Sequence, residues 1–92
     1  AEHIKMAQTM GFPEFVTLGR ADAVERRKAS LSDVKASPIY DRDEWPMAVF
    51  EEGGQGADVA YIEGRDNRGA GSSIGWQMRG FPDGSRVRVR VI

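Results

Sequence analysis

Asp41-Arg42-Asp43-Glu44-Trp45-Pro46 sets three acids and an arginine directly ahead of an apolar run. Plain folding has little use for such a density of charge, so the stretch reads as a place where something is bound. In an extended strand successive side chains alternate between faces, which puts Asp41 and Asp43 on one side and Arg42 and Glu44 on the other. Such a segment can offer a carboxylate to a metal or a water and an arginine to a phosphate at once. Its plainer interpretation is a solvated acidic turn leading into a strand. The residues directly downstream predict a hairpin: Trp45 to Phe50 reads as a strand, Gly53, Gly54 and Gly56 as a wide turn, and Ala57 to Ile62 as the returning strand.

Upstream of this hairpin, Ile4, Ala7 and Met10 recur at helical spacing, and Gly11 with Pro13 supplies a stop. Glu14 to Leu18 suits a short strand, with Phe15, Val16, Thr17 and Leu18 between Pro13 and Gly19. Ala21 to Leu31 is rich in helix formers, with Ala21, Val24 and Leu31 on one side and Glu25-Arg26-Arg27-Lys28 as a solvated face. Ser32 to Tyr40 reads as a connecting loop. Downstream, Gly64 to Gly71 reads as irregular, and Ser72 or Ser73 can cap a helix running to about Arg79. Arg86 to Val91 alternates strictly, so Val87, Val89 and Val91 turn inward and Arg86, Arg88 and Arg90 outward. That arginine row is either a guard on an edge strand or a set of phosphate contacts.

Ninety-two residues make one domain, 1–92, with a single core of marginal size. The formal net charge is −1, but Arg65, Arg68, Arg79, Arg86, Arg88 and Arg90 crowd the last third, which allows a locally basic face on a neutral protein. The chain has no cysteine, which excludes a disulfide framework, a thiolate zinc site and a cysteine nucleophile. Its one histidine, His3, stands at the N-terminus, where a metal or catalytic duty is not expected. A general base is therefore a carboxylate. No apolar run is long enough to span a membrane and no signal-peptide pattern is present, so the chain reads as soluble. The Gly53–Gly56 segment lacks the lysine and the strand-to-helix context of a phosphate-binding loop.

Three separated blocks stand in register: Asp41 to Pro46, Glu51-Glu52-Gly53-Gly54-Gln55-Gly56-Ala57-Asp58-Val59, and Asp66-Asn67-Arg68-Gly69-Ala70-Gly71. Their order and spacing resemble the secreted NucA/NucB-type deoxyribonucleases, and the resemblance runs from His3-Ile4 through Glu25-Arg26-Arg27 to the Pro82-Asp83-Gly84 turn and the last strand. Two strands followed by a helix then have the outline of a ββα-metal nuclease core. The implied fold class is α+β: an antiparallel sheet and that core, packed by N-terminal helices. The implied activity is metal-dependent, largely sequence-nonspecific endonuclease cleavage of DNA, with RNA left open, by a secreted protein whose signal peptide lies outside this chain. A monomer is expected, and an inhibitor protein is left open as a partner.

Phosphodiester hydrolysis needs an activated water, positive charge where the pentavalent phosphate becomes more negative, and help for the leaving oxygen. Asp43 or Glu44 can draw the proton from water. With oxygen ligands only, the cation expected is Mg²⁺ or Mn²⁺ rather than zinc. Carried over residue by residue, the resemblance implies Asp43 as base, with Glu44 as the alternative base or an additional ligand. It implies Asn67 as first metal ligand, and Gln77 as a weaker candidate for orienting metal-bound water. Arg42 and Arg68 would hold the phosphate, and Arg65, Arg79, Arg86, Arg88 and Arg90 would contact nucleic acid. Trp45 and Trp76 are expected in the core. Several secreted members carry a cysteine pair where this chain has Val16 and Phe50, so those two residues are expected to meet across neighbouring strands. The competing class is a noncatalytic nucleic-acid-binding domain on the same scaffold; a toxin-type nuclease domain would share the chemistry.

Overall fold

The computed structural model describes residues 2–91, apart from the side chains of Arg65, Asp66, Asn67 and Ala70. The fold is α+β: three α-helices and two small antiparallel sheets among the described residues. Helix α1 (Glu2–Thr9) comes first, then strand β1 (Phe15–Thr17) and, after a single 3-10 turn at Arg20–Asp22, helix α2 (Ala23–Leu31). Strands β2 (Tyr40–Trp45) and β3 (Asp58–Glu63) form the hairpin, helix α3 (Gly64–Met78) comes directly after it, and strand β4 (Arg86–Arg88) closes the chain. The expected single sheet is in fact two, β2–β3 and β1–β4, with an isolated bridge between Leu18, just after β1, and Phe50 in the β2–β3 connection.

The core is built where these elements meet. Trp45, Phe50, Leu18 and Val16 are completely buried, with Ile4, Ala7 and Met78 around them. Trp45 and Phe50 meet edge to face at 5.9 Å, and the Trp45 indole N–H donates to the Pro13 carbonyl at 3.0 Å. Val16 and Phe50 share this cluster from neighbouring segments, since Phe50 bridges to Leu18, two residues along from Val16.

Several boundaries differ from those the sequence predicts, each for a physical reason. The strand is the acidic stretch itself, Tyr40–Trp45, and it ends rather than begins at Trp45, because Pro46 has no N–H to continue a ladder. Its start is set by Ser37, whose hydroxyl accepts the backbone N–H groups of Ile39 and Tyr40, each at 3.1 Å. Helix α3 begins at Gly64, eight residues earlier than Ser72, so the Asp66 to Gly71 block is helical and not a loop. Gly64, Gly69, Gly71 and Gly75 weaken the local propensity, and packing against the hairpin supplies what propensity lacks. Trp76 is exposed and carries the Arg79 guanidinium over its ring at 3.7 Å; it is not a core residue. Met10 and Val24 are exposed as well: α1 ends before Met10 at the left-handed Gly11, and α2 buries Ser30 and Leu31 instead. At the C-terminus the predicted alternation holds, with Arg86, Arg88 and Arg90 exposed and Val87 and Val89 half-buried.

Candidate active site

The register of the hairpin sorts the acidic strand into two faces. Asp41 stands opposite Ile62, Asp43 opposite Ala60 and Trp45 opposite Asp58. Cross-strand partners share a face, so Asp41, Asp43 and Asp58 point to one side of the sheet. Arg42, Glu44 and Tyr61 point to the other.

On the second face Arg42 and Glu44 each have a local task. The Arg42 guanidinium donates to the Val34 carbonyl at 2.8 Å, and the Tyr61 hydroxyl donates to the Lys35 carbonyl; both tie the incoming loop to the sheet. Glu44 is buried and accepts from Arg27 of α2 at 2.8 Å, while its Oε2 is buried with no partner among the described residues. Burial pushes the Glu44 carboxyl above its ordinary value, with Asp43 adding to the effect and Arg27 opposing it. Arg42 and Glu44 are thus not brought together with Asp43.

The first face is where α1 and α3 arrive. His3 of α1 is buried between two carboxylates, with Nδ1 2.6 Å from Asp43 Oδ2 and Nε2 2.6 Å from Asp58 Oδ2. Arg68 of α3 reaches Asp41 Oδ2 at 3.4 Å, its guanidinium folded back over Gly64. Asp43, its side chain 14% exposed, keeps Oδ1 clear of any hydrogen bond among the described residues. The result is one face with three carboxylates, an arginine at its rim and an imidazole behind it. Sequence reasoning missed His3 and Asp58 because they lie 40 and 55 residues from their partners. The only signal available was a histidine on the buried stripe of α1 with Ile4 and Ala7.

The remaining candidates are dispersed. The Asn67 and Arg65 side chains lie outside the described residues; the backbone of both belongs to α3. Gln77 donates to Ser73 at 3.2 Å and lines a groove between α3 and β4 together with Ile74, Phe81 and Arg88. Arg86 is held by Thr17 at 3.0 Å and Glu52 at 2.9 Å, and Arg88 by Glu14 at 2.8 Å. Glu52 also accepts the Thr17 N–H at 2.7 Å and the Thr17 hydroxyl at 2.9 Å, so the Glu51–Glu52 block ties the turn to β1 and β4. Among the described residues no group of three His, Cys, Asp or Glu side chains is arranged as a metal cage.

No family model matches the chain. Among curated proteins, a "DNA-entry nuclease" from Bacillus subtilis (strain 168) is 53% identical over 87 residues, which is 95% of this chain and 59% of that protein. The chain is its homologue. The likeness agrees with the NucA/NucB-type resemblance carried by the three blocks. Against the homologue's full length the chain covers somewhat less than two thirds.

Proposed function

We propose that the chain is a metal-dependent, largely sequence-nonspecific endonuclease that hydrolyses phosphodiester bonds in DNA, outside the cell. The observation that carries this is the 53% identity to a protein named as a DNA-entry nuclease. The geometry supports a division of labour. Asp43 is the general base, because it lies on the face shared with Arg68 and offers Oδ1, whereas Glu44 is buried on the opposite face against Arg27. A water beside Asp43 gives up its proton to Oδ1 as its oxygen attacks phosphorus. Arg68, its side chain 73% exposed at the rim, leaves Asp41 to meet the phosphate and offset its growing negative charge.

The donor set fits a small hard cation held mostly by water and phosphate: oxygen donors only, no cage of three acids or histidines among the described residues, and an amide candidate at Asn67. Such an ion, Mg²⁺ or Mn²⁺, would polarise the phosphate and ease departure of the leaving oxygen. Asn67 would hold it, and Gln77, in the groove between α3 and β4, is the weaker candidate for orienting metal-bound water. Arg79, Arg90 and Arg65 would add backbone contacts without base information.

Plasmid cleavage with Mg²⁺ or Mn²⁺, with and without EDTA, tests this reading. Metal-dependent nicking by the wild type that falls at least a hundredfold in Asp43→Asn and in Asn67→Ala, both still folded, is expected; Glu44→Gln should lose far less. Salt-sensitive DNA retardation with intact DNA under every metal would favour a binding domain instead.

A further inference from the structure

We infer that His3 is a positioning residue that fixes the catalytic carboxylate Asp43, with Asp58 fixing His3 in turn; the inference rests on the proposed nuclease activity. The geometry that carries it is the three-element bridge. Helix α1 presses His3, Ile4 and Ala7 onto the hairpin, and the ring spans from Asp43 on β2 to Asp58 on β3 with both contacts at 2.6 Å. Asp58 is opposite Trp45, two residues along from the partner of Asp43, so the two acids form a same-face diagonal pair. Diagonal side chains on a sheet are about 7–8 Å apart, a gap that an imidazole with a hydrogen bond at each end fills.

A histidine whose only duty is to fill a core does not need an acid on each nitrogen. Both nitrogens can donate together only when the ring carries both protons, or when one carboxylic acid takes over a donor role. The bridge therefore ties Asp43 and Asp58 to one ring, each through a single carboxylate oxygen at 2.6 Å. With Oδ2 of Asp43 engaged by His3, Oδ1 is the oxygen left to take the proton from water in the proposed reaction. His3 cannot itself reach substrate, because both nitrogens are engaged and its side chain is only 6% exposed. Asp58, 28% exposed, stands as the third member that orients the orienter, an arrangement general to bases that must be aimed.

The test is steady-state cleavage by wild type, His3→Phe, Asp58→Asn, Asp43→Asn and the double variant His3→Phe/Asp43→Asn, with folding checked by urea titration. Phenylalanine keeps the packing and removes both donors. Misplacing a catalytic group by about 1 Å costs on the order of a hundredfold, so kcat should fall about that much in His3→Phe with KM little changed. Asp58→Asn keeps an acceptor but loses its charge, and kcat should drop about tenfold. In the double variant the His3 change should cost nothing beyond Asp43→Asn, since the carboxylate it aims is gone. A purely structural His3 would lower stability alone and leave kcat per folded molecule intact. If His3→Phe does not fold, Asp58→Asn decides: a folded Asp58→Asn with wild-type kcat overturns the inference. A wild type inactive with every metal removes the nuclease reading and this inference with it. An active wild type with an equally active, folded His3→Phe removes this inference alone.

Discussion

Removing the Arg27 guanidinium should destabilise the fold by an amount that grows with pH. Glu44 is buried at the sheet's second face, its side chain 6% exposed, and its named partner is Arg27, 54% exposed, at 2.8 Å. Arg27→Met keeps most of the aliphatic stem and takes away only the charge. Breaking a fully buried pair costs about 3–5 kcal/mol, but water reaches the outer half of this arginine, so a charge-assisted hydrogen bond of about 2 kcal/mol is the fitting scale. In a domain of this size that lowers Tm by about 8–16 °C.

The pH dependence comes from burial, which already holds the Glu44 carboxyl above its ordinary 4.5 against the opposing pull of Arg27. An acid raised in the folded state makes that state bind more protons than the unfolded chain. Stability therefore falls as pH rises from the unfolded value through the folded one. Without Arg27 the folded value climbs further and the window of loss extends upward. Urea unfolding at pH 5 and pH 7 should thus give a larger penalty at pH 7, with the m-value unchanged. Adding Glu44→Gln should bring the double variant within about 1 kcal/mol of wild type and remove the extra slope. An equal penalty at both pH values would show that Glu44 is not the group that Arg27 compensates.

Three further outcomes are expected. In Glu52 the cost of burial is outweighed by the Thr17 N–H, the Thr17 hydroxyl and Arg86, which together hold the carboxyl below its ordinary 4.5. Its stabilisation is present above that value and is lost as pH falls through the folded one, so Glu52→Gln should cost about 1–2 kcal/mol at pH 7 and little at pH 3, by thermal melts. Gly53→Ala and Gly64→Ala should behave oppositely. At Gly53 an added Cβ meets the Met47 carbonyl oxygen at 2.5 Å, a backbone atom that cannot step aside, and about 1–3 kcal/mol should be lost. At Gly64 it meets only the mobile end of Arg68 at 2.8 Å, so the fold should hold or gain up to about 1 kcal/mol while cleavage falls with the displaced guanidinium. Finally, Arg68→Ala should lower kcat by about 10²–10³ yet change stability by less than about 0.5 kcal/mol, because its 3.4 Å pair with Asp41 is largely exposed.

The returning strand of the hairpin, the first helix and the final alternating strand were legible because hydrophobic period and turn residues point the same way there, whereas the first strand of the hairpin, expected at Trp45 to Phe50, is the acidic stretch before it. Helix α3 was not. Gly64, Gly69, Gly71 and Gly75 dilute any helical signal in its sequence, and what makes the segment helical is its packing against β2 and β3. Trp76 misled because size alone predicts burial, whereas the helix turns that residue outward and gives it Arg79. The site was half legible. Asp43 and Arg68, singled out through the resemblance for separate roles, stand on one side of the hairpin, but the division of Asp41 and Asp43 from Arg42 and Glu44 became meaningful only once the register showed which helix covers each face. His3 and Asp58 carried no local pattern at all, since a histidine bridge across 40 and 55 residues is a property of the fold.

That division also bears on how DNA would be held. The most regular basic feature of the sequence, the row Arg86, Arg88 and Arg90, lies on β4, and two of its members are already paired: Arg86 with Glu52 and Arg88 with Glu14. A phosphate meeting either arginine must displace a carboxylate at 2.8–2.9 Å, and in the case of Glu52 it would also loosen the tie between the turn and β1. Arg68 gives up far less, a 3.4 Å contact with an exposed side chain, and it stands beside the face that holds Asp43. Arg79 caps the far end of the same helix and offers its charge stacked on an exposed indole. Exposed pairs are worth at most about 1 kcal/mol, so β4 can still contribute, but the phosphate that is cut is better reached from α3. On the proposed reading the strand with the strictest charge pattern is then mainly scaffold, and the glycine-rich helix with the weakest local signal carries the arginine nearest the proposed base.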